Sequence, residues 1–427
     1  MTAYAVDPYK GSESGTGWNW ILQAAKYNRI IAVTRSNNRP AIEAYFRENP
    51  LPEQTEIQWA YFDWPAWARG WKRGERGAWL YQYLWHLTVV FFILRRRWQF
   101  DLSHHLNFHS DWTPSFLWIL GKPLVWGPVG HHDKIPRPFM QAYDWKAYFN
   151  DRLHWLAKQM FWLMDPFLWL TRWLADKVIV VNKSAAEVLE VSGTKLEYMA
   201  AVGAFAAGPS AEKDDIFRVL SVGRLIPLKG FDVTLRSFAI FFHNLTWPDQ
   251  QRVRLTIIGQ GPEKDRLQTM ATQLEIAAAV DWIEEVAHSE MKDYYADADV
   301  FFFPSHEGAG MVVVEALAHG LPVVCFDNDG PGTMVDEYCA LTVQYRTYHT
   351  AVLDFAGRLD RLFTNPALQR HLSNGARKRF ERHYEWNAKG KRLRNIYEEL
   401  IPGLTTWQTI HPRTMEPQAN LANEKTL

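Results

Sequence analysis

The sequence has few cysteines, no net charge and no long hydrophobic run. Its two cysteines, Cys325 and Cys339, are too few for a disulfide framework or a four-cysteine zinc site, so we expect a reducing compartment. The 47 basic and 47 acidic side chains cancel, which argues against a nucleic-acid-binding protein that works by bulk charge. The longest apolar run, residues 83–94, is far shorter than the roughly 20 residues of a membrane-spanning helix.

The first residues, MTAYAVDPYKGSES, have no basic leader followed by an apolar core, so we expect no signal peptide. These features together predict a cytoplasmic protein, which could also attach to the cytoplasmic membrane face from outside the bilayer.

Tryptophan is concentrated in the first half of the chain, where 15 of the 21 lie between Trp59 and Trp173. The segment 59–85 mixes aromatic residues with four basic residues, which are Arg69, Lys72, Arg73 and Arg76. Trp and Tyr suit the headgroup level of a bilayer and basic side chains favour anionic lipids, so this segment predicts peripheral contact with an anionic membrane. The alternative is that these aromatic residues pack inside helical insertions of the first domain.

Segments with strand-like and helix-like patterns alternate along the chain. In the second half the predicted strands are residues 217–225, 253–259, 298–305 and 321–326, and the predicted helices are residues 233–245, 262–274, 311–319 and 387–400. In the first half the predicted strands are residues 2–6, 29–35, 100–106, 122–130 and 177–182. This alternation predicts an α/β protein with two Rossmann-like, doubly wound domains that face a cleft.

The length of 427 residues suits two domains of ordinary size. We expect residues 1–205 to form the first domain, with aromatic-rich helical insertions, and residues 206–384 to form the second. Residues 385–401 are predicted to be a helix that crosses back to the first domain, and the polar residues 402–427 a flexible tail.

Three loops of the second half follow predicted strands, where open α/β sheets bind their ligands. They are GRLIPLKG (223–230), GQGPEK (259–264) and HEGAG (306–310). The helix predicted from Met311 offers unpaired N–H groups and a partial positive charge, and glycines allow a phosphate to approach the backbone closely. With Arg224 and Lys229 to neutralise charge, these loops indicate a diphosphate site.

Two glutamates, Glu307 and Glu315, bracket the point where the predicted strand gives way to that helix. Carboxylates repel phosphate, but they accept hydrogen bonds from hydroxyls and favour positive charge at an anomeric carbon. The pair therefore indicates contacts to a sugar and a ribose. For Glu315 the alternative is a solvated helix face on which it pairs with His319 at i,i+4.

Four motifs carry a resemblance to a known family: SVGRLIPLKGFD, IIGQGP, YYADADVFFFPSHEGAGMVVVEALAHGLPVV and YEWNAKGKRLRNIYEEL. The chain resembles glycosyltransferase family 4, whose members are retaining transferases of GT-B fold that use nucleotide sugars. The E-x7-E pattern of that family falls on Glu307 and Glu315. The segments YAVDPYKGSESGTGWNW and PLVWGPVG look like a subgroup associated with bacterial exopolysaccharide and cell-surface glycan assembly.

The resemblance implies a donor site for a UDP- or GDP-sugar. Arg224 and Lys229 would hold the diphosphate, Glu307 would contact the donor sugar at the reacting centre, and Glu315 would bind the ribose. The other donor-binding residues would be Gly15 and Gly17, in a facing loop of the first domain, and Gly259, Gly308, Gly310, Met311 and Val312 in the second. The leaving diphosphate would take the acceptor proton, so no separate nucleophile is required.

Family members also place a histidine in the first-domain crevice, at a position where this chain reads Gly127. The resemblance leaves open whether His104, His105, His131 or His132 takes that role, and we take His104 and His132 as the catalytic candidates.

No metal is expected, since HExxH and CxxC spacings are absent from the sequence. Two D-x-D strings, Asp297–Asp299 and Asp327–Asp329, are the alternative cation sites. The first precedes a predicted strand, on the wrong side for ligands, and turn chemistry explains the second.

Three functions fit the sequence. The first is a retaining transferase that moves a sugar from a nucleotide donor to a glycan or a lipid-linked acceptor, as in cell-surface polysaccharide assembly. The second is a sugar-nucleotide epimerase or a phosphorylase of the same fold. An epimerase would not explain the lipid-compatible first half, and a phosphorylase would need a pyridoxal-bearing lysine and a much longer chain. The third is a non-catalytic nucleotide-sugar-binding subunit, against which the complete set of charged site residues argues.

Overall fold

The computed structural model describes residues 1–72, 77–106, 110–132, 134–140, 143, 145–208, 214–287, 290–308 and 310–401. Arg73 and Arg76 of the predicted membrane segment and the predicted tail 402–427 lie outside these ranges.

The first half contains seven strands in its described residues, which are β1 (Thr2–Ala3), β2 (Ile30–Thr34), β3 (Ile57–Tyr61), β4 (Ser103–Leu106), β5 (Leu124–Val129), β6 (Lys177–Val180) and β7 (Leu196–Tyr198). Its helices are α1 (Ser12–Ala25), α2 (Arg39–Glu48), α3 (Ala78–Arg96), α4 (Trp145–Met164), α5 (Pro166–Leu174) and α6 (Lys183–Val188). The strands form one parallel sheet in the order β3-β2-β1-β4-β5-β6-β7, with register pairs such as Thr2 with His105 and Ser103 with Leu124.

The second half contains the strands β8 (Phe217–Val222), β9 (Val253–Ile258), β10 (Val280–Ile283), β11 (Val300–Phe303), β12 (Val323–Phe326) and β13 (Ala340–Val343). Its helices are α7 (Phe231–Asn244), α8 (Trp247–Gln250), α9 (Lys264–Gln273), α10 (Met291–Asp297), α11 (Met311–Ala318), α12 (Pro331–Met334), α13 (Tyr348–Thr364), α14 (Pro366–His383) and α15 (Trp386–Leu400). These strands form a parallel sheet in the order β10-β9-β8-β11-β12-β13.

Each sheet is covered by helices on both faces, which explains the almost continuous apolar runs of the inner strands. In the first sheet, Val125 and Ile179 face a core that includes α1, while Trp126 and Val178 face a core that includes α3. The second sheet likewise has a separate apolar core on each face. The predicted fold class, two Rossmann-like domains, is therefore confirmed.

The strand order reverses between β1 and β4 in the first sheet and between β8 and β11 in the second. Such a switch point leaves a crevice beyond the carboxyl ends of the two strands, where ligands bind in open α/β sheets. The loops 223–230 and 304–310 begin at these ends in the second sheet, which sets the place of the candidate site.

The last described helix, α15, packs on the first domain, since Leu393 and Ile396 belong to the same core as α1. The buried ammonium of Lys389 fixes this helix to the chain between the two sheets. Its Nζ donates to the carbonyl oxygens of Ala200 at 2.6 Å and Val202 at 2.7 Å, and it lies over the Trp386 ring. Among the described helices, none combines the length and apolar character that a membrane span requires.

Candidate active site

The loops after β8 and β11 touch at the switch point of the second sheet. The backbone N–H of His306 donates to the carbonyl oxygen of Leu228 at 2.9 Å. Gly230 is left-handed, with a φ of 70°, and a Cβ there would lie 2.1 Å from the carbonyl oxygen of Pro304. Only glycine allows the two loops to come this close, and the contact places Lys229 opposite the acidic loop.

Lys229 and Glu307 form a direct ion pair at this point. The Lys229 Nζ donates to Glu307 Oε2 at 2.6 Å, and both side chains are largely buried. Burial raises the pKa of Glu307, and the Lys229 ammonium and Arg224 guanidinium act in the opposite direction. Arg224 is exposed. The structure thus brings together three of the predicted charged site residues.

Helix α11 begins directly after the acidic loop. Its N-cap residue, Gly310, supplies no side-chain hydrogen bond. The first-turn N–H groups of a helix lack intrahelical partners, so Met311 and Val312 present donors at a partially positive helix end. A Cβ built on Gly11 would lie 3.7 Å from the sulfur of Met311, so the start of α11 lies opposite the start of α1.

Glu315 lies one turn into α11 and is partly buried. Its carboxylate accepts a hydrogen bond from the Tyr295 hydroxyl at 2.8 Å. His319, the alternative partner in the sequence, bonds the backbone oxygen of Glu315 at 2.9 Å through its Nδ1. The Glu315 carboxylate is therefore held by a neutral phenol, and the solvated i,i+4 ion pair is not the arrangement found.

Gly259 follows β9 and packs against the first of the site loops. The Gly259 N–H donates to the carbonyl oxygen of Ile283 at 2.8 Å. A Cβ built on Gly259 would lie 1.9 Å from the carbonyl oxygen of Gly223. The second predicted loop, residues 259–264, is thus next to the one that carries Arg224.

On the first-domain side, His132 contacts the acidic loop. A Cβ on Gly308 would lie 2.5 Å from the Cβ of His132, so the two domains approach each other closely here. Burial lowers the pKa of His132 to about 4, and the neighbouring Lys158 ammonium acts in the same direction. Among the four histidines left open by the sequence, His132 is the one that the described contacts place against this loop.

A buried ionic network supports His132, and sequence reasoning did not identify it. His131 Nδ1 is 2.6 Å from Asp111 Oδ2, and the ammonium of Lys158 is 3.1 Å from Asp111 Oδ1. All three side chains are at most 3% exposed. The network fixes the backbone that carries His132.

Asn182, also missed in the sequence, joins the two domains. Its Nδ2 donates to the carbonyl oxygens of His131 at 2.6 Å and Asp329 at 2.7 Å, while its Oδ1 caps α6. The available signal was position, because Asp111, His131 and Asn182 each follow a strand of the first sheet at its carboxyl end.

His104 is in a different environment. Its Nδ1 is 2.6 Å from the Tyr397 hydroxyl and its Nε2 is 3.0 Å from the carbonyl oxygen of Gly127. Burial lowers its pKa to about 3. Both ring nitrogens are engaged, which leaves no free nitrogen for the catalytic role predicted for His104. His105 is likewise buried, and its ring lies against His86.

The prediction that Gly15 and Gly17 belong to a loop is wrong, because both lie inside α1, which begins at Ser12. Gly15 is instead a packing position, since a Cβ there would lie 2.1 Å from the carbonyl oxygen of Lys10. The part of this segment that faces α11 is Gly11.

The D-x-D strings have protein partners: in the second string the Gln344 amide donates to the Asp327 carboxylate, and in the first string Arg218 holds both carboxylates. The carboxylate of Asp297 pairs with the Arg218 guanidinium at 2.9 Å. The carboxylate of Asp299 accepts a hydrogen bond from the backbone N–H of Arg218 at 2.9 Å. Within the described ranges, no three His, Cys, Asp or Glu residues are grouped as a metal site would require.

Comparison with known proteins gives matches over part of the chain. Residues 206–379 match the family model for glycosyl transferases group 1. A D-inositol 3-phosphate glycosyltransferase of Streptomyces bingchenggensis is 28% identical over 207 residues, which are 45% of this chain and 42% of that protein. A GDP-mannose-dependent alpha-(1-6)-phosphatidylinositol monomannoside mannosyltransferase of Mycolicibacterium smegmatis is 30% identical over 194 residues, 43% of this chain and 47% of that protein. The chain thus matches less than half the length of these curated relatives.

The whole fold resembles solved structures at low identity. The crystal structure of Anabaena Alr3699/HepE in complex with UDP superposes with a TM-score of 0.60 and 13% identity, covering 94% of this chain and 100% of that one. The chain therefore has the GT-B fold, and its second domain matches the glycosyl transferases group 1 family.

Proposed function

We propose that the protein is a retaining glycosyltransferase, which moves a sugar from a nucleoside-diphosphate sugar to a glycan or a lipid-linked acceptor. The observation that carries the proposal is the Lys229–Glu307 pair beside the start of α11. A cation, a helix N-terminus and a carboxylate within one crevice suit a donor that is anionic at one end and rich in hydroxyls at the other.

The donor diphosphate binds Arg224, Lys229 and the backbone around Gly310, Met311 and Val312. These groups stabilise the charge that develops on the leaving group, so we propose that no metal is needed. The leaving diphosphate takes the proton of the acceptor hydroxyl, so no separate base is needed.

The two carboxylates contact the neutral parts of the donor. Glu307 accepts a hydrogen bond from the sugar, and its negative charge favours the positive charge at the anomeric carbon as the bond to the diphosphate breaks. Glu315 accepts a hydrogen bond from a ribose hydroxyl. Gly259 and Gly308 contact the donor through their backbone, since neither has a side chain between the closely packed loops, and His132 lines the crevice from the first domain.

The chemistry of the relatives supports a UDP- or GDP-sugar as donor. HepE was crystallised with UDP, and the mycobacterial relative uses GDP-mannose on a phosphatidylinositol glycolipid. We further propose a role in bacterial exopolysaccharide or cell-surface glycan assembly, in the cytoplasm and in peripheral contact with an anionic membrane. In this proposal residues 1–205 form the acceptor-side domain, residues 206–384 the donor domain, residues 385–401 the returning helix and residues 402–427 the tail.

The test is a thermal-shift screen of nucleotide sugars, followed by transfer assays with the wild type and Glu307→Gln. We expect one nucleotide sugar to stabilise both forms and only the wild type to transfer its sugar. Unchanged turnover by Glu307→Gln would refute the site assignment. Conversion of the donor to another nucleotide sugar would identify an epimerase, and stabilisation without turnover of any kind a non-catalytic binding subunit.

A further inference from the structure

Helix α4 carries a row of large apolar side chains on its outer side. Six of them recur at steps of three or four residues and are all more than half exposed, namely Trp145, Phe149, Leu153, Leu156, Met160 and Leu163. This spacing places them on one face of the helix. The exposed fractions reach 75% at Trp145 and 72% at Leu163.

Two charged residues of the same helix, Arg152 and Lys158, are turned inward. Lys158 is 1% exposed and pairs with the buried Asp111. The Arg152 guanidinium donates to the carbonyl oxygen of Ile135 at 2.9 Å. Residues 148–173 are all described, and none of their charged side chains is exposed. In water the opposite arrangement is favoured, so this face is built to be covered.

The apolar face continues onto the next helix. On α5, Trp169 and Trp173 are exposed, the latter by 74%, and Phe167 is exposed at the junction with α4. We call these three residues and the six of α4 the outer apolar face. The indole rings of Trp145, Trp169 and Trp173 suit the boundary between headgroups and acyl chains, where Trp is favoured.

Basic side chains lie on the neighbouring helix. Helix α3 packs beside the junction of α4 and α5 through the Tyr83 hydroxyl, which donates to Asp165 at 2.9 Å. It exposes Phe91 and Leu94, and the exposed Arg95 and Arg96 follow them directly. Apolar residues bordered by arginines are complementary to a bilayer with anionic headgroups.

We infer that the outer apolar face is the membrane-binding surface of this protein and that it enters an anionic lipid surface, with Arg95 and Arg96 at the headgroups. This deepens the membrane contact proposed above and moves it away from the predicted segment 59–85. That segment exposes Trp67 by 86%, but its Tyr81 and Trp85 are fully buried. Its Arg69 guanidinium is 3.5 Å from Asp63, and its Lys72 ammonium lies over the Tyr81 ring.

The placement also connects the lipid surface to the crevice. The inner side of α4 contacts His131 through Trp155 and Trp162, and His132 lies against Gly308 of the acidic loop. One helix thus presents its outer side to the membrane and its inner side to the crevice. A lipid-linked acceptor would reach the donor from that side.

The test is vesicle flotation with phosphatidylglycerol–phosphatidylcholine and pure phosphatidylcholine vesicles. The variant is the triple substitution Leu156→Gln, Met160→Gln and Leu163→Gln, which changes exposed positions and keeps good helix formers. We expect it to bind anionic vesicles about a hundredfold more weakly than the wild type, because three apolar side chains no longer enter the lipid. The matched control is Trp247→Gln with Leu353→Gln, exposed apolar positions of the second domain, which should bind as the wild type does.

Arg95→Gln with Arg96→Gln should weaken binding to anionic vesicles at low salt and leave binding to phosphatidylcholine unchanged. Undiminished vesicle binding by the triple variant would overturn the surface assignment, as would equal loss in the second-domain control. Absence of vesicle binding by the wild type would overturn the membrane contact itself. If light scattering then showed a dimer that the triple variant breaks, a second copy would be the occupant. Nucleotide binding, followed by calorimetry, tests the transferase proposal separately.

Discussion

Replacing Lys229 by methionine tests the donor site most directly. The substitution keeps the length of the side chain and removes the ammonium that lies 2.6 Å from Glu307. A hydrogen bond to a charged group is worth about 1.5–3 kcal/mol. If Lys229 holds the donor diphosphate, the Kd for the nucleoside diphosphate should therefore rise about 10-fold to 150-fold.

The ion pair predicts the opposite result for its partner. In the free protein the Lys229 ammonium donates to the Glu307 carboxylate, so an incoming diphosphate must compete with that carboxylate for the ammonium. Glu307→Gln should therefore bind the nucleoside diphosphate as tightly as the wild type or more tightly, although it should not transfer sugar. Lys229→Met should then lose at least as much binding free energy for the nucleoside diphosphate in the Glu307→Gln background as in the wild type.

Isothermal titration calorimetry of the two single variants and the double variant measures these differences. Lys391→Met, at an exposed position of α15, is the control for loss of one positive charge and should bind as the wild type does. The reasoning is refuted if Lys229→Met and Lys391→Met bind the nucleoside diphosphate equally well.

Three further predictions concern packing, metal and pH. Gly308→Ala places a Cβ 2.5 Å from the Cβ of His132, so bringing the two domains together should cost about 1–3 kcal/mol more, and kcat/KM should fall about 5-fold to 150-fold. Gly357→Ala, where no atom lies within 4 Å of the new Cβ, should leave turnover unchanged. Transfer should survive excess EDTA; loss that manganese restores would contradict metal-free catalysis. Burial lowers the pKa of His104 and His306 from 6.5 to about 3, so unfolding takes up protons below pH 6.5. Each should remove about 2 kcal/mol of unfolding free energy between pH 7 and pH 5, and flat stability in urea titrations over that range would contradict this.

The inner strands could be predicted from the sequence because both faces of each are buried. β5 and β12, for example, have every residue buried and read as continuous apolar runs. The strands that were missed lie at or beside sheet edges, as β3, β7, β10 and β13 do. Their residues alternate less regularly, since one face or one edge contacts solvent, and no apolar run marks them.

The donor half of the site could be predicted because its residues lie in short loops that each follow one strand. The first-domain half could not, because Asp111, His131, Lys158 and Asn182 come from four separate segments and meet only in the folded chain. The outer apolar face of α4 was missed for a related reason. Its sequence has an apolar stripe at helical spacing, and such a stripe ordinarily faces the core, so the pattern alone does not indicate that this one faces outward.

The two glutamates have different surroundings, and the difference explains why their spacing is useful. Glu307 lies before the first turn of α11 and is held by a cation, which a diphosphate can attract away. Glu315 lies one turn further on and is held by the Tyr295 hydroxyl, which carries no charge and has no affinity for phosphate beyond a hydrogen bond. Donor binding would therefore release the first carboxylate towards the sugar while the second stays fixed for the ribose. A shorter spacing would place both carboxylates against the phosphate-binding end of the helix, where their charge would oppose binding.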